Sequence, residues 1–378
     1  MDHLIYDIFK NIQTPAYIVD EGKLIHNLEI LDGVRRRTGC KILLAQKAFS
    51  MFAVYPLMSR YLDGTTASGL YEAKLGREEF SGEVHIFSPA YKDGEFDEIL
   101  QISDHIVFNS VAQLEKFYPK CGGKSIGLRI NPECSTQDEP IYDPCAPFSR
   151  LGVTVGKLNG DIMKKLDGLH FHTLCEQGAD ALEITLKAVE EKFGKYLKGL
   201  KWVNFGGGHH ITRDGYDIPL LERLVTDFQN KYDVQIYLEP GEAAALNAGY
   251  LVTEVMDIIH NGMDIAVLDM SAACHTPDVL EMPYRPPLFE SGKAKEKKFT
   301  YRLSSRTCLA GDIVGDYSFD TPLETGDRLC FLDMAIYSMV KNNTFNGMPL
   351  PDIAILRKNG EYEVIKRFGY NDFKERLS

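Results

Sequence analysis

The chain has 378 residues, enough for two domains, and 44% of them are hydrophobic, which is typical of a globular protein. Its formal net charge of −12 argues against nucleic acid or an anionic membrane as a partner. The same charge is compatible with a cationic substrate.

The N-terminal stretch Met1–Asp7 has no basic segment followed by an apolar one, so no secretory signal is predicted. No apolar run approaches the roughly 18 residues that a membrane span needs. The eight cysteines are scattered without a Cys-x-x-Cys pair. This spacing favours free thiols in a reducing cytoplasm and argues against a structural zinc site.

Short apolar runs, each followed by a helical stretch, recur in the first part of the chain. Helical periodicity is clearest in Ala179–Phe193 and Leu220–Lys231. Such alternation predicts a (β/α)8 TIM-type barrel over residues 14–245, with a doubly wound open sheet as the alternative. The eight candidate strands are Ile42–Ala45, Gly64–Ala67, Val84–Phe87, His105–Phe108, Ile126–Ile130, Gly168–His172, Trp202–Phe205 and Val234–Glu239.

The pattern changes after about Ala245, where strand-like runs follow one another with few helical intervals. They predict a second, mostly antiparallel C-terminal β domain, formed by residues 246–378 together with residues 1–13. The candidate strands are Leu251–Ile259, Ile265–Met270, Thr300–Leu303, Arg328–Asp333, Ile353–Arg357 and Tyr362–Phe368.

Several barrel strands end in residues that can carry chemistry. Lys47 follows the first strand; at an apolar barrel mouth its amine loses hydration, as a Schiff-base lysine requires, although an isolated lysine there is usually a surface residue. His170 and His172 end the sixth strand and share one face, where an imidazole can stack on an aromatic ring or bond to backbone. A metal site of His170, His172, Cys175, His209 and His210 is a further alternative.

The last two barrel strands end in a glycine loop and an acidic turn. Gly206, Gly207 and Gly208 leave backbone N–H groups open to an anion, and barrels commonly bind phosphate after strands seven and eight, although a flexible turn is the alternative. Pro240 ends the eighth strand, which places Glu239 at its tip and Glu242 in the following turn. A carboxylate at such a tip can hold a ring nitrogen protonated.

Together these strand ends supply an amine, a flat ring, a phosphate loop and a partner for a pyridinium nitrogen. Those are the requirements of pyridoxal 5′-phosphate, and their joint occurrence in strand order is more specific than any one motif.

The sequence resembles the alanine-racemase-fold (fold type III) pyridoxal-phosphate decarboxylases over nearly its whole length. The strings match best the branch of that family that acts on carboxynorspermidine and carboxyspermidine. The matching strings are Gly168–Glu176, Trp202–His210, Leu238–Ala243, Met282–Tyr284, Thr307–Asp312 and Asn343–Gly347.

The resemblance implies a role for each matched position. Lys47 would bind the cofactor covalently, His172 would stack on its ring, and Glu239 would pair with the ring nitrogen. The phosphate would lie against Gly206, Gly207 and Gly208 and the Tyr337 hydroxyl. Cys308 would come from the partner subunit of a homodimer with shared active sites and would donate a proton after CO₂ leaves; by itself it could equally be a buried apolar thiol.

One departure from the wider family bears on the substrate. Relatives acting on ornithine, arginine or diaminopimelate carry arginine where this chain has Glu242, and a phosphate-binding serine where it has Cys175. Exchanging a cation for an anion reverses ligand preference and suits a carboxylated polyamine substrate. Asp278 and Asp312 are the other candidate substrate-binding acids.

Two other functions stay open at this point. A decarboxylase of a simpler basic amino acid, such as diaminopimelate, ornithine or arginine, is the nearest. A non-catalytic pyridoxal-phosphate-binding protein is the other, but such proteins consist of a barrel alone.

Overall fold

The computed structural model describes residues 3–378 and divides into two compact units. One unit comprises Asn27–Ala244, and the other comprises the N-terminal residues up to His26 together with Ala245–Ser378. Across residues 3–378, no helix combines the length and the apolar content that crossing a bilayer requires.

The elements are numbered in chain order. The strands are β1 (Ala16–Asp20), β2 (Lys41–Ala45), β3 (Gly64–Ala67), β4 (Glu83–Phe87), β5 (His105–Phe108), β6 (Ser125–Arg129), β7 (Gly168–His170), β8 (Trp202–Asn204), β9 (Gln235–Leu238), β10 (Gly249–His260), β11 (Asp264–Leu268), β12 (Gly292–Lys293), β13 (Phe299–Ser305), β14 (Ile313–Phe319), β15 (Arg328–Leu332), β16 (Asp352–Leu356) and β17 (Tyr362–Lys366). The α-helices are α1 (His3–Phe9), α2 (Glu21–Thr38), α3 (Tyr55–Met58), α4 (Leu70–Glu79), α5 (Asp93–Ile102), α6 (Val111–Phe117), α7 (Gly160–Met163), α8 (Ala179–Leu197), α9 (Ile218–Tyr232), α10 (Glu242–Ala245), α11 (Ala272–His275), α12 (Asp278–Glu281), α13 (Ser338–Lys341) and α14 (Tyr370–Lys374). Short 3-10 helices cover Phe52–Val54, Tyr118–Lys120, Pro140–Tyr142, Val155–Lys157 and Phe345–Gly347.

The unit Asn27–Ala244 is a closed barrel of eight parallel strands, β2 to β9 in sequence order. It closes where β2 pairs with β9, Lys41 opposite Tyr237 and Ile42 opposite Leu238. Each predicted run overlaps one of these strands, so the (β/α)8 prediction is confirmed and the open-sheet alternative is wrong. Most strand residues are buried, which explains why the runs are continuously apolar instead of alternating.

Aromatic side chains fill the barrel interior near the starts of the strands. Trp202 begins β8, and its indole nitrogen donates to Ser125 Oγ at 2.8 Å. A Cβ on Gly168, the first residue of β7, would overlap the Trp202 ring, so only glycine fits beside it. This end of the barrel is a packed core, which leaves the opposite end, where the strands finish, for a site.

The second unit is built on a mostly antiparallel sheet, as predicted. Its strand order is β12-β14-β13-β11-β10-β1-β16-β17, and β15 pairs with β10. The pairs β1/β16 and β11/β13 are parallel. The six predicted runs overlap β10, β11, β13, β15, β16 and β17, whereas β12 and β14 were not predicted.

The N-terminal boundary differs from the prediction. Residues 14–26 were assigned to the barrel, but β1 lies inside the second sheet, antiparallel to β10 and parallel to β16. All five residues of β1 are buried, and Tyr17 and Ile18 belong to apolar cores of this unit. Residues up to His26 therefore group with the sheet.

Candidate active site

The predicted strand-end residues of the barrel lie at one end of it. His170 is the last residue of β7, Asn204 is the last residue of β8, and Glu239 directly follows β9. Lys47 comes two residues after β2. Because the strands are parallel and the barrel is closed, these positions meet at the mouth formed by the carboxyl ends of the strands.

Glu239 is buried and held by two side chains. Asn204 Nδ2 donates to Oε1 at 2.8 Å, and His170 Nε2 lies 3.3 Å from Oε2. Burial by itself raises the pKa of a carboxyl group, but here the contacts with His170 and Asn204 outweigh it and lower the pKa of Glu239 to about 2. A carboxylate that stays ionised in an apolar mouth can hold a proton on a facing ring nitrogen.

The two histidines at the end of β7, His170 in the strand and His172 after it, make different contacts. Burial lowers the pKa of His170 and the Glu239 carboxylate opposes this effect, while Nε2–H of His170 donates to Glu239. His172 lies two residues further, and its Nδ1 accepts the backbone N–H of Gly207 at 3.0 Å. Burial also lowers the pKa of His172 well below its ordinary value. The bond from Gly207 fixes the orientation and the tautomer of this ring, which suits a flat stacking partner.

The glycine loop is tighter than a flexible turn. Gly206 and Gly208 have φ of 71° and 80°, in the left-handed region that favours glycine. A Cβ on Gly207 would lie 2.5 Å from the Glu239 carbonyl oxygen, and a Cβ on Gly208 would overlap the Leu174 carbonyl oxygen. All three positions therefore require glycine, because backbone from the neighbouring strand ends packs directly against them.

The structure corrects how this loop would bind an anion. The N–H of Gly206 donates to Asn204 Oδ1 at 2.8 Å, and that of Gly207 donates to His172. Two of the three predicted donors are thus already used inside the protein. Only the N–H of Gly208 makes no bond within residues 3–378, so the loop offers one donor instead of three.

Lys47 has the electrostatic surroundings of a nucleophilic amine. Its side chain is exposed to solvent, while the surrounding strand ends are close enough to remove part of the hydration of its amine. Burial among the strand ends lowers the pKa of Lys47, the Arg129 guanidinium lowers it further, and the Glu239 carboxylate opposes both. A lowered pKa increases the fraction of neutral amine at neutral pH.

The sequence did not single out Arg129 or Glu72, which also act on Lys47. Arg129 is the last residue of β6; it is 5% exposed, donates to the His172 carbonyl at 3.0 Å and lies 4.6 Å from the centre of the Phe87 ring. Burial lowers its pKa to about 10. The sequence feature that could have indicated Arg129 is its position inside the apolar run Ile126–Ile130. A charged side chain there must either be buried or extend to the barrel mouth.

Glu242 lies in the first turn of α10 with a side chain that is 20% exposed. Its Oε1 is 3.4 Å from His210 Nε2. Cys175 is partly buried, and burial raises the pKa of its thiol to about 11, so it is a neutral group beside the acid. The barrel mouth therefore carries an accessible carboxylate that lies close to the His210 imidazole.

Four predicted site residues belong to the second unit. Asp278 pairs with Lys341, which also contacts Glu281, so this acid already has an ammonium partner. Tyr337 precedes α13 with φ 55°, a left-handed conformation that is uncommon outside glycine and is often found at functional sites. Their proposed contacts with ligands stay predictions.

Asp312 has a structural role that the sequence did not predict. It is 1% exposed and accepts from Ser271 Oγ at 2.6 Å, Ser305 Oγ at 2.7 Å and Thr307 Oγ1. Ala273 N–H donates to its other oxygen at 3.1 Å. Both oxygens are thus occupied, which gives no support to a direct substrate contact.

Cys308 is close in sequence to these contacts. Its side chain is exposed, and its N–H donates to Asn346 Oδ1 at 2.6 Å. Asp312 holds Thr307, the preceding residue, and thereby shapes the loop that carries the thiol.

The metal alternative receives no support. Within residues 3–378, the one group of at least three clustered ligand side chains is Glu83, His85 and His105, at the start of β4 and β5, which contains none of the five residues considered. The rings of His85 and His105 in this group stack 3.9 Å apart at 9°.

Pyridoxal phosphate fits the barrel mouth. Lys47 would hold the aldehyde carbon, Glu239 the ring nitrogen and His172 the ring face. The structural support is a loop at Gly206–Gly208 that any Cβ would block, with an ionised acid and a desolvated lysine beside it.

Comparisons with known proteins agree with this fit. Residues 4–335 match the family model described as pyridoxal-dependent decarboxylase, C-terminal sheet domain. A carboxynorspermidine/carboxyspermidine decarboxylase of Campylobacter jejuni is 46% identical over 379 residues, covering 97% of this chain and 99% of that protein. A carboxyaminopropylagmatine decarboxylase of Synechocystis is 39% identical and covers 97% of this chain and 96% of its own length.

Solved structures show the same relationship. The crystal structure of carboxynorspermidine decarboxylase from Campylobacter jejuni complexed with norspermidine matches with a TM-score of 0.91 and 45% identity, over 97% of this chain and 100% of that one. A diaminopimelate decarboxylase at 16% identity and a TM-score of 0.85, covering 99% of this chain and 97% of its own, shares the fold.

Proposed function

This chain belongs to the pyridoxal-dependent decarboxylase family, and we propose that within it the protein decarboxylates carboxynorspermidine or carboxyspermidine to norspermidine or spermidine. The reaction would serve polyamine biosynthesis. Relatives named for these substrates are 46% and 40% identical, and a 45% identical structure was solved with norspermidine.

The observation that carries the substrate assignment is Glu242. Its carboxylate is accessible at the barrel mouth, one short turn after the acid that faces the cofactor. Carboxylated triamines carry ammonium groups far from the reacting carbon, and an accessible anion attracts such a group. A substrate with a second carboxylate, such as diaminopimelate, would be repelled by it.

Pyridoxal phosphate, when bound, links covalently to the substrate amine and withdraws electrons from the bond to the departing carboxylate. Glu239 keeps its charge and would hold a proton on the ring nitrogen. Lys47 supplies a neutral amine for the covalent bond, and neutral His172 presents a flat face. Burial lowers the pKa of Lys47, and the buried positive charge of Arg129 lowers it further.

The protonation step involves Cys308. The thiol would donate a proton to the carbon that has lost CO₂. Its exposure on this chain supports a contact with a second subunit, as the family resemblance implies. We propose a homodimer in which each Cys308 serves the site of the other subunit. All eight cysteines are free thiols, which supports a reducing, cytoplasmic setting.

The decisive experiment is CO₂ release from a panel of substrates by the cofactor-loaded protein. The panel contains both triamines, carboxyaminopropylagmatine, diaminopimelate, ornithine and arginine. We expect the triamines to give the highest kcat/KM. Fastest release from diaminopimelate or ornithine would reject the assignment. Fastest release from carboxyaminopropylagmatine would instead assign to this protein the substrate for which the Synechocystis relative is named.

The Lys47→Ala variant tests the chemistry independently of the substrate. It should lose both the absorbance of the covalently bound cofactor and CO₂ release. A variant with undiminished turnover would exclude Lys47 as the covalent attachment site.

A further inference from the structure

His210 is a buried polar side chain without a described partner for hydrogen bonding. The residue is 7% exposed, and neither ring nitrogen makes a hydrogen bond within residues 3–378. A carboxylate lies close to one of these nitrogens: Glu242 Oε1 is 3.4 Å from Nε2, within ion-pair distance but without the geometry of a hydrogen bond. Burying an imidazole in this way is costly unless a bond forms.

The backbone of His210 is fixed in relation to the glycine loop. Its N–H donates to the Gln177 carbonyl at 3.1 Å, and the N–H of Gln177 donates to the Gly208 carbonyl at 3.0 Å. Its own carbonyl accepts from Arg213 N–H at 3.0 Å. The imidazole is thus anchored beside the loop that would bind the cofactor phosphate, and it faces the acid that would bind the substrate.

We propose that His210 is a positioning residue that orients the Glu242 carboxylate toward the distal ammonium group of the substrate. This inference rests on the proposed function, because it assigns a support to the acid named there. When the substrate is bound, Nε2–H of the imidazole would donate to Oε1, which would leave Oε2 directed to the ligand. In apo structures such bonds are often long and shorten when the ligand is bound.

The other side chains near Glu242 are poorer partners for its carboxylate than His210. His209 is 2% exposed, and burial lowers its pKa to about 4; the carboxylate that acts on it is Glu239, whereas Glu242 pairs with His210. Cys175 is neutral and cannot hold an anion. Among these three neighbours, His210 alone combines a donor with an ion-pair distance to Glu242.

The test is a double-mutant cycle on the full-length, cofactor-loaded enzyme. The variants are His210→Leu, Glu242→Gln and the double variant. The probe is norspermidine, whose Kd is measured by calorimetry, and KM and kcat are measured with carboxynorspermidine. A hydrogen bond to a charged group predicts that His210→Leu weakens norspermidine binding and raises KM about tenfold, with little change in kcat.

The coupling between the two substitutions distinguishes a positioning role of His210 from a general disruption of the site. If His210 acts through Glu242, adding His210→Leu to Glu242→Gln should change Kd by less than about twofold. His210→Gln places an amide nitrogen near the position of Nε2, so it should restore Kd to within about threefold of wild type. Cofactor absorbance checks that each variant keeps its site, and His260→Leu, which breaks a surface pair with Asp264, should leave Kd unchanged.

Each outcome has a distinct meaning. A wild-type Kd for Glu242→Gln would reject the substrate role of Glu242 and with it this inference. A weakened Glu242→Gln with a wild-type His210→Leu would overturn the inference alone. Equal losses on adding His210→Leu to either background would show that His210 acts independently of Glu242, and failure of His210→Gln to restore binding would also contradict a donor role.

Discussion

Asn204 donates its side-chain amide to Glu239 at 2.8 Å, and the carbonyl oxygen of the same amide accepts the N–H of Gly206 at 2.8 Å. One residue at the end of β8 therefore supports both the acid that would face the cofactor ring and the loop that would face its phosphate. Asn204 is completely buried, so no water replaces either bond.

Asn204→Asp tests this shared support. The new carboxylate can still accept from Gly206, but it has no N–H for Glu239, and two buried like charges disfavour ionisation of the pair. The pKa of Glu239 should rise, and pyridoxal phosphate should bind roughly tenfold or more weakly. Absorbance titration of the apoenzyme measures this affinity. Asn159→Asp is the control, because Asn159 caps α7 and an aspartate caps a helix equally well; equal affinities in the two variants would contradict the role of Asn204.

Gly208→Ala should disrupt the loop far more than its backbone conformation alone predicts. Gly208 and Gly215 have φ of 80° and 77°, but a Cβ on Gly215 meets nothing within 4 Å, whereas one on Gly208 overlaps the Leu174 carbonyl. We expect Gly215→Ala to cost about 1 kcal/mol in unfolding free energy and Gly208→Ala at least about 2 kcal/mol more. Urea unfolding of both variants measures the difference, and similar values would show that the loop can relax.

Asp312→Asn should act on stability before it acts on the substrate. Ser271 and Ser305 donate to one oxygen of Asp312, and the N–H of Ala273 donates to the other. In the variant the side-chain NH₂ of the asparagine replaces one of these acceptors and faces donors instead, so the unfolding free energy should fall by about 2–3 kcal/mol. Asp316→Asn, which removes a partly exposed ion pair with Arg302 nearby, should cost less than about 1 kcal/mol. A stable Asp312→Asn enzyme with a raised KM would instead support direct substrate contact.

Protonation of Glu83 should lower the stability of the folded protein at acidic pH. Burial raises its pKa, but His85 and Lys41 outweigh that effect and lower the pKa from 4.5 to about 2. Because the folded value is the lower one, this stabilisation is complete above about pH 4.5 and is lost as the pH falls toward 2. In urea unfolding at pH 7, the unfolding free energy of wild type should exceed that of Glu83→Gln by no more than about 3 kcal/mol. At pH 3.5 this difference should be smaller.

The same variant also separates the two ends of the barrel. Glu83 begins β4, at the end opposite the strand tips, so CO₂ release per folded molecule at pH 7 should not change. A gap in stability that is constant from pH 7 to 3.5 would show that Glu83 does not titrate as described.

Strand order and strand ends could be predicted from the sequence, because they depend on local patterns and on one simple topology. The positions of Lys47, His172 and Glu239 beside the strand ends were predicted in this way, and their contacts with ligands stay predictions. The use of the glycine N–H groups could not be predicted, since it depends on how the side chains of Asn204 and His172 are directed. Asp312 shows the same limit, because its donors come from separate segments around Ser271 and Ser305.

Arg129 was missed for a related reason. A single charge at the end of an apolar run is common, and its meaning depends on which strands close the barrel around it. The pairing of β6 with β5 and β7 turns that strand end into part of the mouth.

The position of β1 also constrains the order in which the chain can fold during synthesis. Its antiparallel neighbour β10 ends at residue 260, but its parallel neighbour β16 ends only at residue 356. A nascent chain can therefore complete the barrel before β16, which covers one edge of β1, has been synthesised. We expect premature termination before β16 to leave this buried strand with an unprotected edge, which makes truncated products targets for proteolysis and aggregation.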